Sequence, residues 1–143
     1  MLHSSVLVAA FISRAGACSA LLEDILNDHE WVASALIVNE LSRKLKEKFG
    51  YTDAEIVEVR EIIATAELVT PEAIPAGVCR HPDDLPILGT AVAGHAGMII
   101  TVDKDLLALN TFREIPIIKP GEFWKLLDAT AALQDARTQP DIP

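Results

Sequence analysis

At 143 residues the chain is long enough for one domain with a buried core. Its 21 acidic and 12 basic residues give a net charge of -9, which argues against simple nucleic-acid backbone binding through a basic face. The charge does not exclude a metal-bridged nucleic-acid substrate, because a bound cation inverts the local field.

Half of the residues are apolar and few are aromatic, so the core is expected to be Leu, Ile, Val and Ala. Cys18 and Cys79 lie in apolar surroundings outside any C-x-x-C pattern and read as reduced thiols of a cytosolic protein. No apolar run is long enough to span a membrane. The apolar stretch from Leu2 to Ile12 is broken by His3, Ser4 and Ser5 and lacks a basic start, so it does not read as a signal peptide.

Along the chain, the apolar run Val6 to Phe11 predicts a short strand at the very start, then a turn and a helix, with Ser4 or Ser5 as cap. Ser19 to Leu26 predicts a second helix and Glu30 to Ala33 a short buried strand. Ser34 is expected to cap a helix that reaches Phe49 and stops at Gly50, with the stripe Ile37, Leu41, Leu45 and Phe49 facing inward. Thr52 and Glu55 have capping-box spacing, which starts a helix to about Ala64. Leu68 to Thr70 reads as a strand and Pro75 to Cys79 as an irregular connection. Asp83 to His95 reads as a helix whose small residues, Gly89, Ala91, Ala93 and Gly94, let it sit close to a sheet. Met98 to Thr101 predicts a central parallel strand. Ile115 to Ile118 predicts the last strand, at an edge because of Pro116. A final helix starts at Pro120. Residues 1–128 are expected to form the domain and 129–143 a flexible tail.

Helices alternate with strands, so the expected class is α/β, a three-layer α/β/α fold with a largely parallel central sheet. Ligands of such folds bind beyond the C-terminal ends of the strands. The two acidic clusters, Arg80-His81-Pro82-Asp83-Asp84 and Thr101-Val102-Asp103-Lys104-Asp105, flank one helix-plus-strand unit and would meet at such an edge. Clustered carboxylates suit hard divalent cations. Taken alone, each aspartate is better explained as a helix cap, and the rest of the chain reverses that preference.

The segment Leu2-His3-Ser4-Ser5-Val6-Leu7-Val8 resembles the opening of the PIN-domain family, in which an aspartate, then Thr and Asn or Ser, precede Val-Leu-Val. Val38-Asn39-Glu40-Leu41 resembles that family's helix-borne glutamate, Pro82-Asp83-Asp84 its Asp-Pro-x-Asp segment, and Thr101 to Leu107 its Thr-x-Asp-x-Asp-Leu-Leu segment. The resemblance runs over roughly residues 1 to 125, in order and spacing. It implies a metal-dependent ribonuclease of the VapC-like toxin kind, acting on single-stranded RNA with Mg²⁺ or Mn²⁺. It also implies an antitoxin partner and a homodimer. Glu40, Asp84, Asp103 and Asp105 would be the catalytic metal-site carboxylates. Ser5, Thr101 and Asp83 would support them, the first two by holding carboxylates or a water in place. On a helix Glu40 lies about 60° from Ile37 and about 100° from Leu41, at the rim of the apolar stripe. An ordinary solvated glutamate would sit there equally well.

The chain departs from the family at its first acidic position, where His3 stands. His81 likewise stands where an aspartate often precedes the proline. A neutral imidazole suits Mn²⁺, Zn²⁺ or Ni²⁺ better than Mg²⁺. Weakened activity, a changed metal preference, or none is expected. His3 reads equally as a metal ligand and as a strand-end residue bonded to a neighbouring carboxylate.

The basic run Arg43, Lys44, Lys46 and Lys48 reads as a solvated helix face in preference to an RNA rail. Trp31 and Trp124 are expected in the core or at a dimer contact. His95 ends a helix and suits its dipole. No Ser-His-Asp or Cys-His order supports nucleophilic catalysis. Two other readings remain: a PIN-like module that binds RNA or an antitoxin without cleaving, and, less favoured, a metal-dependent phosphatase on a similar sheet.

Overall fold

The computed structural model describes residues 1–128, and the expected tail lies outside the described residues. Leu2 enters the fold fully buried and forms a parallel bridge to Ile100. His3 N–H donates to Ile100 O and Ile100 N–H to Met1 O, each at 3.0 Å. Helix α1 (Ser4–Ile12) begins immediately afterwards. The apolar run expected as a strand therefore lies in a helix. So short an apolar run carries no period of its own, and tertiary burial of Val6, Leu7 and Ala10 on one face decides it. His3, not Ser4 or Ser5, holds the N-cap position in extended backbone, and its side chain makes no cap bond.

Helix α2 (Ala17–Asp28) and strand β1 (Val32–Ala33) follow as expected. Helix α3 (Ala35–Phe49) starts after Ser34. The Ser34 hydroxyl is diverted from capping and accepts from Thr90 Oγ1 at 3.0 Å, which ties α3 to a later helix. Gly50, with φ of 69°, closes α3: its N–H donates to Lys46 O, and Tyr51 N–H reaches back to Leu45 O. Ile37, Leu41 and Leu45 are fully buried, but Phe49 is 45 % exposed. The helix outruns the core in its last turn, so the expected stripe ends at Leu45.

Helix α4 (Asp53–Ile62) opens with the expected capping box: Glu55 N–H donates to Thr52 Oγ1, and Thr52 N–H to Glu55 Oε1. Strand β2 (Glu67–Leu68) pairs parallel with β1 in the register Val32↔Glu67 and Ala33↔Leu68. A 3₁₀ turn, Pro82–Asp84, leads into helix α5 (Leu85–Ala93). The small residues of α5 permit close approach, as expected. A Cβ on Gly94 would meet Val32 at 2.8 Å, and one on Gly89 would lie 2.1 Å from the Glu72 carbonyl oxygen.

Strand β3 (Ile99–Ile100), helix α6 (Lys104–Leu107) and strands β4 (Thr111–Phe112) and β5 (Ile115–Ile118) complete the second sheet, in the order β3-β5-β4. β5 is therefore central, not the expected edge. Pro116 is tolerated because pairing with β3 begins one residue later, at Ile117. Residues 120–128 are helical, where the final helix was expected.

The chain thus adopts the expected α/β class, with parallel pairing at β1/β2, β3/β5 and Leu2–Ile100. The strands form two small sheets rather than one continuous one. The core is aliphatic, with Trp31 buried and donating from Nε1 to Thr65 Oγ1 at 3.1 Å. Trp124 is half-buried and packs edge-on to Phe123. Cys18 and Cys79 are free and half-buried. Among the described residues no single helix is long and apolar enough to cross a membrane.

Candidate active site

The C-terminal end of β3 and the start of α1 lie side by side because Leu2 bridges Ile100. This pairing brings His3, Ser4 and Ser5 to Thr101, Val102 and Asp103. His3 is 5 % exposed, and its Nδ1 is hydrogen-bonded to Thr101 Oγ1 at 2.9 Å and to Ser5 Oγ at 3.0 Å. Thr101 is fully buried, and its hydroxyl also accepts from Asp103 N–H at 3.0 Å. Ser5 Oγ accepts from Val102 N–H at 3.4 Å. Thr101 and Ser5 both hold the His3 ring, and Thr101 holds the Asp103 backbone as well. Burial pulls the imidazole below its ordinary pKa, against Glu40 and Asp103, which favour its charged form; Lys44 adds to the lowering.

Asp103 is the N-cap of α6. Its Oδ1 accepts from Asp105 N–H at 2.8 Å and from Leu106 N–H at 3.4 Å. The capping role foreseen for these aspartates and the site role are thus compatible in one residue. Asp105 is half-buried and meets His81 Nε2 at 2.8 Å. Asp84 is buried at the end of the 3₁₀ turn before α5. Desolvation raises its pKa, and the charge of Asp103 raises it further; Asp105 and Asp83 add, while His81 opposes. Asp83 itself is exposed.

Glu40 reaches the same region from α3. Its Oε1 pairs with Lys44 Nζ at 2.9 Å, one helical turn on. Burial pushes the Glu40 carboxyl up, but the Lys44 ammonium outweighs this by hydrogen bond and charge, with help from His3 and Ser4. The net effect is a carboxylate held below its ordinary value. Ser4 Oγ is fully buried and finds no partner at full bonding distance, although it lies near enough to Glu40 to favour its charge.

Glu40 and Asp103 thus both act on His3, and Asp103 and Asp105 both act on Asp84. Among the described residues, however, no three His, Cys, Asp or Glu side chains converge closely enough to hold a metal ion as they stand. The donor chemistry fits a hard divalent cation on one side of the site. Asp84, Asp103 and Asp105 are all oxygen donors, and the Asp84 carboxyl is raised first by burial and then by the charge of Asp103. The Glu40 side is already neutralised by Lys44.

Two pairs escaped the sequence reading. Glu40–Lys44 was legible as an i,i+4 spacing. His81–Asp105 joins two loops and leaves no sequence signal. The basic run is mostly paired: Arg43 with Glu47, Lys44 with Glu40 and Lys46 with Asp53. His95 is exposed and lies one residue past the Gly94 cap of α5, with φ of 51°.

No curated protein matches the sequence. A family model described as PIN domain matches residues 1–105, most of the 143-residue chain and every acidic residue of the site. The order Glu40, Asp84, Asp103 and Asp105 around the end of β3 lies wholly within that match, and the chain belongs to the PIN-domain family.

Proposed function

We propose that the chain is a metal-dependent endoribonuclease, using Mg²⁺ or Mn²⁺ to hydrolyse phosphodiesters of single-stranded RNA. The observation that carries this reading is the run of neighbouring charges at the end of β3: Asp103 acts on the buried His3 ring, and Asp84 is held above its ordinary value by burial and then by Asp103. A divalent ion bound there would activate a water and neutralise charge on the scissile phosphate. The chain's own residues set the geometry. Asp103 is oriented by the α6 backbone N–H groups, and Thr101 holds both the Asp103 backbone and the His3 ring. The single-stranded substrate, a cytosolic setting, homodimerisation and a toxin role with an antitoxin partner complete the proposal.

A second reading is favoured by a different observation. His3 is buried and tied down through Nδ1, and Glu40 is already paired with Lys44. A site whose charges are partly satisfied internally suits a module that binds RNA or an antitoxin without cleaving.

Cleavage of a mixed single-stranded RNA by wild type, His3→Asp and Asp103→Asn, each with Mg²⁺ and with Mn²⁺, separates the two. Wild-type cleavage lost in Asp103→Asn supports the nuclease. Activity that emerges only in His3→Asp supports the binding module. Hydrolysis of a small phosphate ester with no RNA cleavage would sink both in favour of a phosphatase.

A further inference from the structure

The Glu40–Lys44 pair differs from the other i,i+4 pair on the same helix. Arg43 and Glu47 lie 3.3 Å apart with side chains 57 % and 62 % exposed, so they are a surface pair. Lys44 and Glu40 lie 2.9 Å apart with side chains only 26 % and 27 % exposed. They face the start of α1, where Ser4 is fully buried without a full-distance hydrogen-bond partner. The rest of the acidic site lacks such a cation. Among the described residues Asp84 and Asp103 form no ion pair, and Asp105 meets only the titratable ring of His81.

We propose that Lys44 is a tethered counter-cation of the acidic site, which holds Glu40 and competes with a divalent ion for it. The proposal rests on the metal-dependent reading above and names the residue that sets metal affinity. A divalent ion placed at Asp84 and Asp103 recruits Glu40 only when the ammonium lets go. The cost of that release lowers the ion's affinity by the strength of the half-buried pair. The tether is intramolecular, so the competition persists at any protein concentration and weakens as salt screens the pair. The remaining site, without Glu40, has fewer carboxylate donors than the family pattern provides.

The test is Mn²⁺ titration of the full chain, followed by the electron paramagnetic resonance of free Mn²⁺. Wild type, Lys44→Gln, Lys44→Met, Arg113→Gln, Glu40→Gln and the double variant Glu40→Gln with Lys44→Gln are compared. Removal of the Lys44 charge is expected to tighten Mn²⁺ binding roughly three- to tenfold, the size of a half-buried pair. Arg113→Gln removes the same charge from a side chain that pairs with Glu72 and not with a carboxylate of the site, and is expected to change binding less than about twofold. The gain from Lys44→Gln should vanish when Glu40 is already Gln. Equal or weaker binding in both Lys44 variants, with wild type still binding Mn²⁺, overturns the role of Lys44 and leaves the metal-dependent reading intact. A gain that persists without Glu40 also overturns it, because the effect is then general charge. Absence of Mn²⁺ binding in every variant overturns both.

Discussion

His3 and Thr101, 98 residues apart in sequence, share a buried hydrogen bond of 2.9 Å between Nδ1 and Oγ1. The bond joins the start of the chain to the end of β3 and sets the geometry of everything at that edge. Thr101 also accepts from Asp103 N–H, so one hydroxyl positions both the imidazole and the first residue of the acidic turn.

Thr101→Ala should therefore cost about 2 kcal/mol, because it leaves the Asp103 N–H without its partner and the His3 ring held by Ser5 alone. Thr101→Ser keeps the hydroxyl and loses one methyl, so about 1 kcal/mol is expected. Urea unfolding midpoints measure both. Equal losses in the two variants would mean that the methyl, not the hydroxyl, matters.

His3 gives the site a pH dependence. Its folded pKa is lowered by burial, while the unfolded chain takes up a proton near the ordinary value of about 6.5. Above that pH the neutral ring costs nothing. As pH falls below it, the unfolded state binds a proton that the folded state resists, and stability is lost. Urea midpoints of wild type should fall between pH 7 and pH 5 more steeply than those of His3→Gln. The other histidines are common to both chains, so the difference reports His3. Parallel profiles would show that the buried ring is charged in the fold.

Gly89 is required by close approach. A methyl there would sit 2.1 Å from the Glu72 carbonyl oxygen, and Glu72 N–H donates to Gly89 O at 3.0 Å. Backbone cannot yield as a flexible side chain can. Gly89→Ala should cost about 3 kcal/mol, at the top of the range for overpacking. Gly97→Ala meets nothing within 4 Å and is the matched control. A small effect at Gly89 would mean that the segment carrying Glu72 moves aside.

Local signals were the ones legible in sequence. The Thr52–Glu55 box and the Gly50 stop depend on residues a few positions apart, and both lie where spacing put them. The α/β class followed from alternating elements. The first apolar run was misjudged because six apolar residues fit either period, and only the Leu2–Ile100 bridge shows that the strand has already ended at His3. Pro116 suggested an edge, but the partners of β5 are staggered, so the missing N–H falls outside the β3 ladder. In the site, the acidic residues were visible through family resemblance. What each one touches was not. Asp105 meets His81 through tertiary placement, which spacing does not encode, and the i,i+4 spacing of Glu40 and Lys44 does not say that their pair is half-buried.

Asp103 offers the cleanest separation of charge from structure. Its Oδ1 caps α6, and asparagine caps helices about as well as aspartate. Asp103→Asn should keep the unfolding midpoint within about 0.5 kcal/mol of wild type in the absence of metal. It also removes a charge that raises the Asp84 pKa, so Asp84 should titrate closer to the ordinary carboxylate value. Asp103→Ala loses cap and charge together and should cost about 1 kcal/mol. If the chain cleaves RNA through this carboxylate, both variants should be inactive although only one is destabilised. Thermal melts in EDTA beside cleavage assays give the two readouts. Retained cleavage in Asp103→Asn would reduce Asp103 to a helix cap and move the chemistry to Asp84 and Asp105.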